Sequence, residues 1–156
     1  MNAILYYSHA LVDVDDGVAW DIARTSALRN VELGITGYLC FYNAHFFQYI
    51  EGETKSLKNV FAQIHADSRH QIIQSHTESG LTHRRFPHWR MRYLHHGTRP
   101  ETALECAITR PLDRSPTRHS QDGYWGMCLE GAFGAVSQLH TLGECSEPPE
   151  TPTGLH

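Results

Sequence analysis

The sequence lacks the long apolar run and the N-terminal pattern of a membrane or secreted protein. No stretch approaches the roughly 18 apolar residues of a membrane helix. Residues 1–8 (MNAILYYS) carry no basic start followed by a long apolar segment, so they do not resemble a signal peptide. We therefore expect a cytoplasmic protein with no membrane partner.

Cysteine and clustered positive charge are also scarce. Four dispersed cysteines form no CxxC pair, which favours reduced thiols over a disulfide framework: Cys40, Cys106, Cys128 and Cys145. The net charge of −4 and the absence of a basic run argue against nucleic acid as a direct partner. Twelve histidines are present, but none forms HxH, or HxxxH with an acidic partner on one helix face, so no metal site is predicted.

What is present suits one soluble globular domain of 156 residues, 40% of them hydrophobic. The pattern of the sequence, in residue composition and periodicity, changes near residue 97. Residues 1–97 alternate strand-like and helix-like patterns, residues 98–144 are predicted to be a helical extension, and residues 145–156, rich in Pro, Thr and Glu, are predicted to be disordered.

Residues 1–97 predict an α+β fold with two helices on a five-stranded mixed sheet. The predicted strands are 2–8, the hairpin arms GITGYLCFY and HFFQYIEG, 71–79 and 86–93. One helix runs from Val18, after aspartates that can cap it, and a second carries an i, i+3, i+4, i+7 apolar pattern from Leu57 to Ile64.

Strand alternation predicts which side chains share a face of this sheet. The three sets are Ile4, Tyr6 and Ser8; Phe46, Gln48 and Ile50; Trp89, Met91 and Tyr93. A hydroxyl and an amide would then meet within an apolar layer, where each needs a hydrogen-bond partner. Tyr6 can satisfy only part of the Gln48 amide, so we expect a flat heteroaromatic ligand between the helices.

The opposite face of the predicted sheet is too apolar to be left in water, since it carries Leu5, Tyr7, Phe47 and Tyr49. The helix candidate with Trp125, Leu129 and Val136 is predicted to cover it.

Five short motifs occur in order along the first 95 residues: Tyr6-x-Ser8, Asn30-x-x-x-Gly34-Ile35-Thr36-Gly37, Phe47-Gln48-x-x-Glu51-Gly52, Asp67-x-Arg69-His70 and Arg85-Phe86-x-x-Trp89-x-Met91. Together with the predicted element order, they resemble the BLUF family of blue-light sensors.

The resemblance implies a ferredoxin-like fold in which two helices hold FAD, or another flavin, on one sheet face. Tyr6 and Gln48 then form the photoactive pair. The implied flavin-binding residues are those two together with Ser8, Ile22, Arg29, Asn30, Ile64, Asp67, Arg69 and His70. Asn30 would bind the ring edge, Arg69 and His70 its pyrimidine side, and Ile22 and Ile64 its two faces.

The resemblance also implies a non-enzymatic light reaction. Tyr6 gives an electron and a proton, and the hydrogen bonds of Gln48 rearrange, so that the absorption shifts to the red. Trp89 or Met91 would relay the change to a downstream signalling protein, as yet unknown, or to a homo-oligomer. Which of the two lies beside Gln48 stays open.

Two other functions compete with a photoreceptor. A small flavin-dependent oxidoreductase is one, although the sequence has no GxGxxG nicotinamide fingerprint. A ferredoxin-like binding domain without flavin is the other.

Overall fold

A computed structural model describes residues 1–42 and 44–95. The predicted helical extension (98–144), with its proposed covering helix, and the predicted disordered tail (145–156) lie outside the described residues. The described elements are β1 (Asn2–Ala10), α1 (Asp16–Leu33), β2 (Thr36–Tyr42), β3 (His45–Gly52), α2 (Thr54–Ala66), β4 (His70–Ser79) and β5 (Arg90–His95). No helix in this part of the chain is both long and apolar enough to cross a membrane.

The five strands form one mixed sheet in the order β4-β1-β3-β2-β5. All neighbouring pairs are antiparallel except β2 and β5, which are parallel. Helix α1 packs over β2 and β5, whereas α2 packs over β1 and β3. The two helices therefore lie side by side on one face of the sheet, which confirms the predicted α+β, ferredoxin-like fold.

Local sequence signals set the ends of α1. The Asp15 carboxylate accepts a hydrogen bond of 2.8 Å from the backbone N–H of Val18, so one of the predicted aspartates is the N-cap. At the other end Gly34 adopts a left-handed φ of 63° and its N–H returns to the last turn of the helix. This cap turns the chain into β2 and leaves Asn30 one turn before the helix end.

Two apolar layers are buried, one on each side of the sheet. On the helix face, Ile4, Leu39, Ile50 and Val60 belong to a core shared with both helices. On the other side, here called the far face, the ring of Tyr7 stacks on that of Phe47 and Tyr38 stacks on Tyr49. All four far-face rings are buried, as their apolar character requires.

The start of β5 differs from the sequence prediction. The strand begins at Arg90 and not at Phe86, because Pro87 lies in a turn in which the N–H of Trp89 donates to the Phe86 carbonyl at 3.2 Å. Gly37 pairs with Arg90 but Tyr38 pairs with Arg92, so Met91 is an extra residue in the ladder, a β-bulge, with a φ of 132°.

The bulge breaks the alternation of side chains in β5. Met91 packs in the helix-face core, whereas Trp89 packs on the far face against Tyr38 and Phe86. The prediction that Trp89 and Met91 share a face is therefore wrong, because the predicted period of two does not survive an inserted residue.

Candidate functional site

A cleft lies between α1 and α2, above the middle of the sheet. It has a cavity volume of about 90 Å³ and is partly open to solvent. Eight of the residues predicted for the site line it: Tyr6, Ile22, Arg29, Gln48, Ile64, Asp67, Arg69 and His70. Residues far apart in the chain thus converge because β1 and β3, which lie beneath α2, are neighbours, and β3 also adjoins β2, which lies beneath α1.

Tyr6 and Gln48 meet at the floor of the cleft. They face each other across the β1–β3 ladder, and the Tyr6 hydroxyl donates a hydrogen bond to Gln48 Oε1. Burial, reinforced by the negative charge of Asp67, raises the pKa of Tyr6 well above its usual range. The phenol is therefore a neutral proton donor at physiological pH.

The other end of the Gln48 amide points to β5. Its Nε2 donates to the sulfur of Met91 at 3.1 Å. A thioether is a weak acceptor, so this contact holds the amide less firmly than a carbonyl would. Gln48 therefore stands between a strong donor, Tyr6, and a weak acceptor, Met91, and both ends of the amide matter to its orientation.

Asn30 is the most conspicuous polar group near the cleft. Its side chain is fully buried, yet neither its Nδ2 nor its Oδ1 finds a hydrogen-bond partner among the described residues. Leaving a buried amide unpaired costs about 1–3 kcal/mol. An amide that both donates and accepts is suited to a ligand edge carrying a carbonyl beside an N–H.

Ser8 and His70 lie at the β1–β4 side of the site. Nε2 of His70 lies 2.8 Å from the carbonyl oxygen of Ile64, and Nδ1 lies 2.7 Å from the Ser8 hydroxyl. A carbonyl only accepts, so Nε2 carries a proton and Nδ1 can accept from Ser8 in the neutral ring. Ser8 does not line the cleft itself; it orients His70, which does.

Charged residues surround the mouth of the cleft. The Arg69 guanidinium donates to both carboxylate oxygens of Asp67, and these hydrogen bonds lower the pKa of Asp67 to about 2. Arg29 on α1 donates to Gln63 on α2 at 3.3 Å, which links the two helices across the opening. Among residues 1–42 and 44–95, no group of three or more His, Cys, Asp or Glu side chains could hold a metal ion.

Four further residues line the cleft that were not predicted for the site: Ser26, Leu39, Phe46 and Gln63. Two of them had a usable signal. Ser26 is one turn from both Ile22 and Asn30 on α1, and Phe46 shares a strand face with Gln48. Leu39 is placed there only by its pairing with Gln48, which the sequence does not specify.

The cleft suits a flat, partly polar ring system. Ile22 and Ile64 lie one on each helix and can contact its two faces, while Gln48 in the lining carries a donor and an acceptor. Asn30 does not line the cleft; it lies one turn along α1 from Ser26, which does, and its amide has no partner among the described residues. An isoalloxazine ring has this combination of apolar faces and a carbonyl-imide edge.

Comparison with known proteins agrees with this chemistry. The sequence profile described as "Sensors of blue-light using FAD" matches residues 1–92. The chain therefore belongs to the BLUF family, which binds flavin and senses blue light.

Relatives of known name carry the same domain within longer chains. The chain is 37% identical over 75 residues to the photoactivated adenylate cyclase subunit beta of Euglena longa, a match covering 48% of this chain and 9% of that protein. It is 30% identical over 73 residues to the blue light- and temperature-regulated antirepressor BluF of Escherichia coli K12, covering 47% and 18%. This chain thus matches less than a fifth of the length of either relative.

A solved structure extends the match to nearly a whole chain. The dark-state structure of BlrB, a BLUF protein, aligns with a TM-score of 0.61 and 31% identity, covering 87% of this chain and 96% of that one. Its similarity supports the fold.

Proposed function

We propose that this chain is a blue-light photoreceptor that binds FAD in the cleft and signals through Tyr6 and Gln48. The observation that carries the proposal is the buried hydrogen bond from the Tyr6 hydroxyl to Gln48 Oε1 on the floor of the cleft. Asn30, with both amide atoms unpaired among the described residues, supplies the contact for the flavin edge.

The remaining cleft residues divide the task of binding. Ile22 and Ile64 contact the two faces of the ring. Asp67 holds the Arg69 side chain by paired hydrogen bonds at the mouth, where the guanidinium can meet polar groups of the ligand. His70, held by Ser8 and the Ile64 carbonyl, and Arg29 complete the polar rim. Other flavins share the ring, so the choice of FAD concerns the part outside it.

A bound flavin supplies blue-light absorption and, once excited, a strong oxidant. Tyr6 holds the proton and the electron that can be given up, since its raised pKa keeps the phenol protonated until then. Gln48 accepts from Tyr6 at one end and donates to Met91 at the other. When Tyr6 gives up its proton, it no longer donates a hydrogen bond to Gln48 Oε1. The Gln48 amide can then turn and present its other end to the cleft.

The signal leaves through β5 in this proposal. Met91 contacts the Gln48 amide directly, so it detects any turn of that amide. Trp89 immediately precedes β5 and packs on the far face against Tyr38, so a shift of the strand also moves Trp89. The receiver is a partner protein or a second copy of the chain in the cytoplasm, and the chain needs no enzymatic activity of its own.

The test compares two neighbouring tyrosines in the purified chain. Tyr6→Phe removes the hydroxyl that faces Gln48, whereas Tyr7→Phe removes a buried hydroxyl from the far face. We expect the Tyr7→Phe protein and the parent to be yellow and to shift to the red under blue light. The Tyr6→Phe protein should be yellow but light-inert. A normal red shift in Tyr6→Phe would contradict the proposal, and bleaching of the dark parent by NAD(P)H would favour an oxidoreductase instead.

A further inference from the structure

A buried carboxylate with four hydrogen-bond donors lies outside the cleft. Glu51 is 1% exposed, and its carboxylate accepts four hydrogen bonds. Oε1 accepts from the Thr36 hydroxyl at 3.1 Å and the Phe86 N–H at 2.7 Å. Oε2 accepts from the Tyr49 hydroxyl at 3.0 Å and the Arg85 N–H at 2.9 Å.

These bonds attach the segment before β5 to the β2–β3 ladder, in which Thr36 already pairs with Glu51. Thr36 begins β2, Tyr49 lies in β3, and Arg85 and Phe86 belong to the irregular segment before β5. An ionised carboxylate bonded to two backbone N–H groups forms strong, charge-assisted hydrogen bonds. Glu51 therefore fixes the backbone of residues 85–86 against the sheet.

A short chain of backbone hydrogen bonds continues from Phe86 to the bulge. The Phe86 carbonyl accepts from the Trp89 N–H at 3.2 Å, and the Trp89 carbonyl accepts from the Gly37 N–H at 2.7 Å. Gly37 has a φ of 152°, and a Cβ there would lie 1.9 Å from the Tyr49 carbonyl oxygen, so only glycine fits. One end of the segment 85–89 is thus tied to Glu51 in β3 and the other to Gly37 in β2.

We propose that Glu51 is a positioning residue of the light response, because its carboxylate holds residues 85–89 in the arrangement that turns Met91 toward Gln48 and Trp89 toward the far face. The inference rests on the proposed photoreceptor function. Glu51 touches neither the cleft nor Gln48. It acts through the backbone of the segment, and so it sets how readily that segment changes position when Gln48 does.

An apolar residue at this position would not serve. It would leave the N–H groups of Arg85 and Phe86 buried without an acceptor, and the segment would seek another position to satisfy them. The side chain of Arg85 adds a second tie, since it donates to the Tyr49 hydroxyl at 3.2 Å and to Glu78 in β4 at 2.8 Å. Arg85, the first residue of the segment, is therefore held by two carboxylates: Glu51 accepts from its backbone N–H and Glu78 accepts from its guanidinium.

The decisive variant is Glu51→Gln in the full chain. The amide keeps the size of the carboxylate but replaces one acceptor oxygen by an NH2 donor. Its remaining oxygen can accept from the N–H of Arg85 or of Phe86, but not from both, so one of these two hydrogen bonds is lost. We expect a yellow protein with the normal red shift, because Tyr6 and Gln48 are unchanged. Its dark recovery should be faster by about fivefold, the effect of one lost buried hydrogen bond on a barrier. Amide hydrogen exchange at residues 85–86 should also accelerate.

Two controls separate positioning from charge and from general stability. Glu53→Gln removes the same charge from an exposed site two residues away. Leu5→Val loosens the buried far face and leaves every side chain that hydrogen-bonds to residues 85–89 unchanged. Both should recover in darkness at the parent rate, even if Leu5→Val melts earlier. Equal acceleration in Leu5→Val would mean that recovery follows overall stability, and the inference would fail.

Tyr49→Phe decides the matter if Glu51→Gln does not fold. It removes one hydroxyl donor from Oε2 and keeps both backbone N–H bonds, so recovery should accelerate by only about twofold. Parent-like recovery in every foldable variant overturns the role of Glu51 and leaves the photoreceptor proposal intact. If the parent itself shows no light response, the photoreceptor proposal fails, and exchange at residues 85–86 still reports whether Glu51 anchors the segment.

Discussion

The two sides of the sheet treat buried polar groups in opposite ways. On the helix side, the Asn30 amide has no partner among the described residues, and Gln48 ends on the weak acceptor of Met91. On the far side, all of the acceptor capacity of Glu51 is engaged by four donors. Asn30 and Glu51 are 0% and 1% exposed, so both are as deeply buried as the aliphatic residues of the core.

The difference separates a binding site from a structural anchor. A buried polar group that the chain does not satisfy costs free energy, which a ligand with matching atoms recovers. A group that the chain satisfies completely gains nothing from a ligand and instead fixes the backbone that it holds. The unsatisfied amides therefore favour a flavin-binding role for the cleft, whereas the satisfied Glu51 carboxylate favours a role in positioning the start of β5.

The largest effect is expected from removing the amide that connects the two regions. Gln48→Leu leaves Tyr6 without its acceptor and Met91 without its donor, so the light-induced red shift should be lost entirely while flavin remains bound. Gln63→Leu, at the exposed rim of the same cleft, should keep the shift. Difference spectra of both proteins check this, and a shift in Gln48→Leu would remove the amide from the mechanism.

On the far side, Glu51→Leu should be strongly destabilising. It leaves two buried backbone N–H groups without an acceptor, and each unpaired group costs about 1–3 kcal/mol. The free energy of unfolding should therefore fall by about 3 kcal/mol. Urea denaturation measures the change, with Glu53→Gln as the exposed reference. A loss below about 0.5 kcal/mol, as for an ordinary surface substitution, would show that the network does not hold the fold.

The cleft side should respond with the opposite sign. Asn30→Leu replaces an unpaired buried amide by an apolar group of similar size, so the flavin-free protein should gain about 1 kcal/mol of stability. Flavin binding should weaken by about tenfold or more, since one contact to the ring edge is lost. Melting with and without flavin measures both. A destabilised flavin-free variant would mean that Asn30 is already satisfied by the protein.

The smallest effect concerns acid stability at the mouth of the cleft. The pKa of Asp67 is lowered from 3.8 to about 2, so its carboxylate stabilises the fold above pH about 4 and loses this contribution as the pH falls through about 2. The pair with Arg69 is largely exposed, which limits the contribution to less than about 1 kcal/mol. The stability difference between the parent and Asp67→Asn should therefore shrink over that range of pH. A difference independent of pH would contradict the assignment.

The sequence predicted the sheet, both helices and the meeting of Tyr6 with Gln48, because strand alternation and helix periodicity act over a few residues. It mispredicted β5, because a bulge at Met91 depends on the pairing with Gly37 and Tyr38, far away in the chain. Sequence reasoning identified Glu51 only as a member of the Phe47-Gln48-x-x-Glu51-Gly52 motif and predicted no role for it. The four donors around that carboxylate come from three places in the chain, Thr36, Tyr49 and Arg85-Phe86, that only the folded chain brings together.

The light-minus-dark absorption spectrum of the purified parent chain tests most directly whether the cleft senses light through a bound flavin. We predict a yellow protein whose flavin bands shift to the red under blue light and return in darkness. A colourless protein, or a flavin spectrum that blue light leaves unchanged, would contradict the assignment of the cleft between α1 and α2 as a light-sensing site.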